Sequence, residues 1–193
     1  MGFFSSLSSL FGFLGRKQMN IIVVGLDNSG KTTILNQLKA PETRAAHVVP
    51  TVGYSMSTFT NENFLFNAFD MSGQSKYRTV WESYYSKCHA IMFVVDSSDR
   101  LRMAVARDEL WILLDHKDIN TKKVPILVLA NKMDEKDAMT SAEITASLGL
   151  DVIRGHHWGI FSTCALTGAG LDKAMEWLAK EMKQYMETYP EYC

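Results

Sequence analysis

Residues 25–32 read GLDNSGKT and match the pattern G-x-x-x-x-G-K-[ST] without a mismatch. The apolar run Met19–Val24 precedes this segment and a predicted helix begins near Lys31, which is the strand–loop–helix context of a phosphate-binding loop. Backbone N–H groups and the helix N-terminus then face an anion. Lys31 is predicted to bridge the β- and γ-phosphates of a nucleoside triphosphate, and the Thr32 hydroxyl to bind Mg²⁺. The segment predicted to contact the nucleotide is Gly25, Leu26, Asp27, Asn28, Ser29, Gly30, Lys31, Thr32 and Thr33.

A second segment, Asn131-Lys132-Met133-Asp134, favours guanine as the base, a choice that the phosphate loop alone leaves open. It follows the apolar run Val124–Leu129. The Asp134 carboxylate can accept from both N1–H and the 2-amino group of guanine, whereas adenine would leave it unpaired. We expect the Lys132 stem to cover the base and ribose, and Asn131 to hold this loop against the phosphate loop. Backbone amides after the next predicted strand are expected to donate to guanine O6, from Cys164, Ala165 and Leu166.

Two segments between these motifs are predicted to sense the terminal phosphate, Pro50-Thr51-Val52-Gly53 and Asp70-Met71-Ser72-Gly73-Gln74. The Thr51 hydroxyl is expected to reach Mg²⁺ only while a γ-phosphate is present. Asp70 would hold the metal through water, and the Gly73 N–H would donate to the γ-phosphate. Loss of that phosphate removes all three constraints and releases both loops.

Hydrolysis is expected to depend on positioning and electrostatics more than on a strong base. Gln74 is predicted to orient the attacking water, and the candidate catalytic residues are Gln74, Lys31 and Thr51. Arg44 is the nearest arginine that could act in cis, but we favour a solvated loop residue. Intrinsic hydrolysis is then expected to be slow, about 10⁻⁴ per second, until an activating partner accelerates it.

Short β-rich runs alternate with helical stretches along the chain, which indicates an α/β fold with a parallel sheet covered on both faces. The 193 residues suffice for one domain. Residues 52–69 break the rhythm and predict a β-hairpin that turns at Thr60-Asn61-Glu62. The predicted strands are Met19–Val24, Ala90–Val95, Val124–Leu129 and Trp158–Phe161, and helices are expected to begin near Lys31, Leu101, Ser141 and Asp172.

Residues 1–16 are predicted to form an amphipathic membrane-binding helix, separate from a guanine-nucleotide domain of residues 17–193. Wound as a helix, the segment places serines opposite one apolar stripe, from which Phe13 alone of its phenylalanines and leucines is absent; the stripe consists of Phe3, Phe4, Leu7, Leu10, Phe11 and Leu14. Gly2 fits the pattern M-G-x-x-x-[ST] with Ser6, so it is a candidate for myristoylation. One acyl chain binds a membrane only marginally, so the stripe would supply the second signal. The alternative is a helix packed permanently on the domain.

The composition argues against a nucleic-acid-binding protein and against a fold built on disulfides or cysteine-bound metal. The formal net charge of −1 gives no electrostatic reason to expect a nucleic-acid partner. The three cysteines are scattered without disulfide or metal-ligand spacing, which fits a cytoplasmic protein.

With these residues assigned, the chain resembles the ADP-ribosylation-factor family of small GTPases over essentially its whole length. The resemblance rests on GLDNSGKTT, PTVG, FDMSGQ, DSSDRLRM and NKMD, together with the N-terminal helix. Within the family, the first, third and fourth segments most resemble the ciliary branch that recruits the Bardet–Biedl coat, the BBSome. Ser72 stands where most members of the family have glycine, within the segment predicted to be the second switch.

The resemblance implies a P-loop NTPase fold with a six-stranded, mostly parallel sheet, which binds GTP or GDP with Mg²⁺. It implies that the hairpin slides in register on GTP binding and evicts the N-terminal helix from a groove. It implies an effector surface formed by Tyr54, Phe69 and Tyr84. The implied partners are BBSome coat subunits, an exchange factor, a GTPase-activating protein and membrane lipids. The implied location is the cytoplasm, the peripheral membrane and the cilium, with its membrane or basal body.

Three rival functions stay open at this point. A metabolic P-loop kinase would need an arginine-rich lid and no guanine-reading residues. A related Arf-like protein would release lipidated cargo from carriers and recruit no coat. A third possibility is a switch that binds GTP and barely hydrolyses it.

Overall fold

The computed structural model describes residues 16–61 and 64–192, and in them a single sheet carries helices on both faces. The strands are β1 (Lys17–Val24), β2 (Tyr54–Thr60), β3 (Phe64–Met71), β4 (Ala90–Asp96), β5 (Ile126–Asn131) and β6 (Trp158–Ser162). The α-helices are α1 (Lys31–Leu38), α2 (Arg78–Tyr85), α3 (Met103–Asp115), α4 (Lys117–Lys122), α5 (Ser141–Leu148) and α6 (Leu171–Thr188). Short 3₁₀ turns lie at Pro41–Thr43, Ser75–Tyr77, Arg100–Arg102, Leu150–Val152 and Pro190–Tyr192.

Among the described strands the order is β2-β3-β1-β4-β5-β6, and only the β2–β3 pair is antiparallel. The predicted α/β P-loop fold with a six-stranded, mostly parallel sheet is therefore confirmed. From β1 the chain later adds β3 on one side and β4 on the other, so the order reverses at β1. Ligands of open parallel sheets bind outside the carboxyl ends of the strands at such a reversal. The phosphate-loop segment leaves β1 at that point.

Two apolar layers cover the sheet, one on each face. One contains Trp81, Phe93 and Leu110 and packs α2, α3 and α5 against the strands. The other contains Ile34, Phe66 and Leu178 and packs α1 and α6. Every residue of β4 and of β5 is buried, as expected for central strands covered from both sides. Because the central strands are packed on both faces, they provide a rigid support for the loops at their carboxyl ends.

The structure corrects several predicted boundaries. β5 begins at Ile126 instead of Val124, because Pro125 has no N–H to donate and contributes its carbonyl to Ile91. The helix expected near Leu101 begins at Met103, after the 3₁₀ turn Arg100–Arg102. The last helix begins one residue earlier than expected, at Leu171.

The predicted hairpin is present with shifted limits. Its strands are β2 and β3, so the second strand runs to Met71 instead of residue 69. Asn61 and Phe64 close its tip by reciprocal backbone hydrogen bonds of 3.0 and 3.3 Å. None of the helices in the described ranges is both long and apolar enough to cross a bilayer. The predicted helix of residues 1–16, including the Gly2 acceptor, lies outside the described residues except for Arg16.

Candidate nucleotide-binding site

The phosphate loop connects β1 to α1 and crosses the reversal point of the sheet. Gly30 takes a left-handed backbone with φ 94° immediately before the helix. A Cβ on Gly30 would lie 2.3 Å from the Asn131 side-chain nitrogen, so only glycine allows the two loops to touch. The first turn of α1 thus points its free N–H groups into a cavity of about 320 Å³. Both predicted switch segments line the same cavity.

Lys31 is buried at the floor of this cavity, with 6% of its surface exposed. Its Nζ donates to the carbonyls of Gly25 at 3.1 Å and Leu26 at 2.8 Å. Burial lowers the pKa of Lys31 to about 8, while the charges of Asp70 and Asp27 oppose that shift. Burial removes the water that would solvate this ammonium. An anionic ligand would compensate for that loss, so the site favours an anion.

The three predicted metal ligands meet on one side of the cavity, although they come from three separate parts of the chain. Asp70 Oδ2 accepts from the Thr32 hydroxyl at 2.6 Å and from the Thr51 hydroxyl at 2.9 Å. The two hydroxyl oxygens are themselves 2.9 Å apart. Burial raises the pKa of Asp70, against the lowering effect of the two threonine hydrogen bonds and of nearby lysines.

The second oxygen of Asp70, Oδ1, is buried and has no hydrogen-bond partner among the described residues. A buried carboxylate oxygen without a partner is costly unless a cation or water fills the place. Two hydroxyls and a carboxylate are also the hard oxygen donors that Mg²⁺ prefers. The residues present therefore fit a magnesium ion with its water.

The two predicted switch segments contact each other and the phosphate loop. The Ser72 N–H donates to the Gly53 carbonyl at 2.9 Å, which joins the first switch loop (residues 48–53) to the second (residues 72–74). A Cβ on Gly73 would lie 2.2 Å from the Asp27 nitrogen, so the second switch loop rests directly on the phosphate loop. Gln74 is exposed at the rim of the same cavity.

The predicted base-reading segments adjoin each other at the ends of β5 and β6. The Asn131 side chain donates to the Ser29 carbonyl at 2.8 Å and accepts from the Ala165 N–H at 3.0 Å. It thereby holds the phosphate loop and the loop after β6 together. Lys132 is bound to Asp96 at 2.6 Å. Asp134 is exposed beside them.

The remaining predicted residues are those of the guanine O6 segment, the implied effector residues and Arg44, and each group lies in a different place. Cys164 and Ala165 are buried, whereas Leu166 is 77% exposed. The implied effector residues form one aromatic cluster, in which the Tyr84 ring lies 5.1 Å from that of Tyr54 and 4.7 Å from that of Phe69. Arg44 lies outside the phosphate cavity and donates to the Lys39 carbonyl.

Sequence reasoning missed one contact of the phosphate loop. Arg102 forms an ion pair with Asp27 at 2.8 Å and a second one with Asp99 at 2.5 Å. The segment DSSDRLRM contributed only to the family resemblance, and its arginine was not connected with the loop 75 residues earlier. The sequence did contain one signal of this contact, because Asp27 is a negatively charged residue in a loop predicted to bind an anion.

Comparison with known proteins gives consistent matches over nearly the whole chain. A family model described as the ADP-ribosylation factor family matches residues 3–182. ADP-ribosylation factor-like protein 6 of Caenorhabditis elegans is 60% identical over 188 residues, which are 97% of this chain and 98% of that protein. The protein of the same name from Danio rerio is 44% identical, over 95% of this chain and 98% of its own.

A solved structure is also similar. The Arl6 BBS3 small GTPase from Trypanosoma brucei, with bound nucleotide analogue GppNp, is 40% identical and superposes with a TM-score of 0.81. The match covers 88% of this chain and 99% of that one.

Proposed function

The chain belongs to the ADP-ribosylation factor family and is a small GTPase that switches with bound guanine nucleotide, and from this premise we propose that its GTP form associates with membrane and recruits a ciliary coat, the BBSome. Its place of action is the cytoplasm and, peripherally, the ciliary membrane or basal body. Support for the branch comes from relatives named ADP-ribosylation factor-like protein 6 at 44–60% identity and from a neighbour whose description includes BBS3.

The main support for the proposed switch mechanism is the contact of Thr51 with Thr32 and Asp70. The first switch loop reaches the phosphate loop through the Thr51 hydroxyl, at 2.9 Å from each partner. In our proposal Thr32 and Thr51 bind Mg²⁺ directly and Asp70 holds it through water. Bound there, the ion supplies positive charge to the phosphates. Removal of the terminal phosphate takes away the reason for Thr51 and Gly73 to stay, and both loops are released.

The remaining site residues have distinct proposed roles. The N–H groups of residues 25–33 and the Lys31 ammonium bind the phosphates. Asp134 reads guanine, while Lys132 covers the base and Asn131 holds the loops in place. The amides of Cys164, Ala165 and Leu166 face guanine O6. In support of these roles, Asn131 already connects the phosphate loop with the loop after β6.

Hydrolysis follows from positioning. Gln74 lies at the cavity rim, where its amide can orient a water toward the terminal phosphate. Arg44 and Arg102 are each bonded elsewhere, to Lys39 and to two carboxylates, so neither is poised over the phosphate. A GTPase-activating protein is the proposed source of the stabilising arginine, and an exchange factor is the proposed source of nucleotide release.

In our proposal residues 1–16 bind the membrane, and Gly2 is the candidate myristoylation site. β1 begins at Lys17, opposite Phe64 at the start of β3. A groove of about 880 Å³ opens beside that point, lined by the hairpin tip, α1 and α6. The preceding segment can therefore reach this groove when it leaves the membrane. In our proposal the bound nucleotide decides between the two positions.

The test is flotation with liposomes that contain anionic lipid, comparing GDP with a non-hydrolysable GTP analogue. We expect the full-length chain to float only with the analogue, and a variant lacking residues 2–15 to float with neither. Equal flotation in both nucleotide states would contradict the coupling.

The coat is tested by affinity capture with the Gln74→Leu variant, identified by mass spectrometry. We expect BBSome subunits. Tyr84→Ala, in the aromatic cluster, should lose them and keep nucleotide binding. Recovery of lipid-binding carriers without coat subunits would favour the alternative, an Arf-like protein that releases lipidated cargo.

A further inference from the structure

Asp27 places a carboxylate inside a loop whose other features favour anions. It lines the cavity with Lys31, Thr32 and Gly73. The helix N-terminus and the buried Lys31 ammonium attract phosphate there. A free carboxylate at the same place would repel phosphate. The repulsion would be strongest for the terminal phosphate, because the proposed site places it beside Gly73, which lies against the backbone of Asp27. The loop should therefore bind phosphate more tightly when a cation neutralises the Asp27 carboxylate.

Arg102 meets Asp27 from outside the cavity with two groups of its guanidinium. One nitrogen contacts Asp27 Oδ1 at 2.8 Å, and the other donates to the Asp27 carbonyl at 3.3 Å. Arg102 is itself fixed by Asp99, which accepts from its Nε at 2.5 Å and from its backbone N–H at 3.2 Å. An arginine whose stem is already held loses little freedom when it binds a second partner.

The contact with the carbonyl also sets the direction of a phosphate-loop amide. Across a planar trans peptide the C=O and the following N–H point in opposite directions. Because the Asp27 carbonyl points to Arg102, the Asn28 N–H points away from it. Gly73 of the second switch loop lies against the preceding peptide, Leu26–Asp27, so the two peptides that flank Asp27 are contacted by two different elements.

We propose that Arg102 is a positioning residue for the triphosphate: it neutralises and turns away the Asp27 carboxylate and orients the Asp27–Asn28 peptide, and thereby raises the preference for GTP over GDP. This inference rests on the proposed nucleotide site. It assigns Arg102 no contact with the nucleotide. Its effect passes through Asp27.

The test compares Arg102→Ala with Arg100→Ala in full-length protein, by titration with fluorescent GDP and a fluorescent non-hydrolysable GTP analogue. Arg100 is the matched control, since it lies in the same 3₁₀ turn and pairs with Glu143 at 3.2 Å, away from the cavity. We expect Arg102→Ala to lower affinity for the GTP analogue about fivefold more than affinity for GDP, which is roughly the effect of one uncompensated charge about 4 Å away in water. Arg100→Ala should leave the ratio unchanged.

Two further variants separate charge control from a general loss of structure. Asp27→Asn in the Arg102→Ala background should restore most of the ratio, because the repelling carboxylate is gone. Asp27→Asn alone should raise the ratio above that of the parent, and this variant tests the idea even if Arg102→Ala does not fold.

An equal loss for both nucleotides, or no recovery on adding Asp27→Asn, would overturn the assignment. A parent protein that binds neither guanine nucleotide would instead refute the proposed function, so the two failures are distinguishable.

Discussion

The Thr51 hydroxyl of the first switch loop donates to Asp70 at the end of β3 and lies 2.9 Å from the Thr32 hydroxyl, which follows the phosphate loop. Thr51→Val keeps the branched shape of the side chain and removes the hydroxyl. We expect affinity for a GTP analogue to fall about tenfold, similar to the loss of one hydrogen bond to a charged group, because the proposed contact of Thr51 with Mg²⁺ is lost; affinity for GDP should change little. Nucleotide titration measures both values.

The matched control is Thr43→Val. The Thr43 hydroxyl also lies between α1 and β2, but it donates only to the Ala40 carbonyl and does not line the cavity. This variant should bind both nucleotides as the parent does. If Thr51→Val weakened GDP binding as much as GTP binding, Thr51 would not sense the terminal phosphate.

His89 makes the folded state sensitive to acid. Its Nδ1 accepts from the Asn20 N–H of β1 at 2.9 Å, so the folded protein requires a neutral ring there. Burial lowers the pKa of His89, helped by the charges of Lys122 and Lys17. A lowered pKa in the folded state means that this contribution to stability is present above the unfolded pKa. It is lost as the pH falls through the folded value.

The unfolding free energy of the parent should therefore decline below a pH of about 6.5. The part due to His89 should be about 1 kcal/mol, the value of one hydrogen bond. His89→Gln can still accept from Asn20 but gains no proton, so it should lose less stability between pH 7 and pH 5. Urea unfolding at several pH values measures this. Identical pH profiles of parent and variant would remove His89 as a cause.

Residue types and spacing were enough to nominate Thr32, Thr51 and Asp70, because each belongs to a short segment whose chemistry is recognisable by itself. The contact between Asp27 and Arg102 could not be found that way. It joins residues 75 positions apart, and an arginine in a charged segment has many possible partners. Only the packing of the 3₁₀ turn against the phosphate loop selects this one.

At the scale of elements, Asn131 links three of them. Its side chain at the end of β5 bonds to the phosphate loop before α1 and to the loop after β6. Asn131→Ala would leave the Ser29 carbonyl and the Ala165 N–H without this partner in a buried place. We expect a loss of about 3 kcal/mol in unfolding free energy and weaker binding of GTP and GDP alike.

Asn36→Ala is the control for this substitution. Asn36 makes two hydrogen bonds with the backbone of Ala45, but both are exposed to water. Its loss should cost about 1 kcal/mol or less, because water replaces the missing partner. Chemical unfolding and nucleotide titration of both variants decide the point. Equal destabilisation by the two substitutions would show that Asn131 does not act as a buried link.

The sequence predicted long apolar elements better than short amphipathic ones. β4 and β5 were found, since every position in them is apolar or at a polar strand end. α2 was missed because its eight residues mix charged and aromatic side chains. Its place depends on Trp81, which is buried and donates to the Ser72 carbonyl. That contact joins α2 to the second switch loop, and no local pattern reveals it.

At the scale of the molecule, the site exists only because the sheet reverses its order at β1. The phosphate loop, both switch loops and the guanine-reading loops leave different strands and meet at one edge of the sheet. Their convergence follows from the family resemblance and from the alternation of strands and helices, which predicts a parallel sheet. The side-chain contacts among the loops depend on how the folded elements pack, and no local sequence pattern predicts them.

The whole fold should therefore be stabilised by guanine nucleotide with magnesium and by no adenine nucleotide. Binding at about 100 times the dissociation constant adds about 2.7 kcal/mol. For a domain of this size each kcal/mol raises the melting temperature by about 2–4 °C, so nucleotide-free protein should gain about 5–10 °C. ATP should give no shift, because Asp134 would face adenine without a partner.

Differential scanning calorimetry with GDP, a GTP analogue or ATP measures these shifts, with magnesium or with a chelator. The chelator should shrink the shift most for the GTP analogue, because in the proposed GTP form Thr51 also contributes its hydroxyl to the metal. Asp134→Asn should lose most of the shift with guanine nucleotides while its melting temperature without nucleotide stays that of the parent, since Asp134 is exposed. Equal shifts with ATP and the GTP analogue would mean that the loops at the ends of β5 and β6 do not select the base, even though the phosphate end of the site binds.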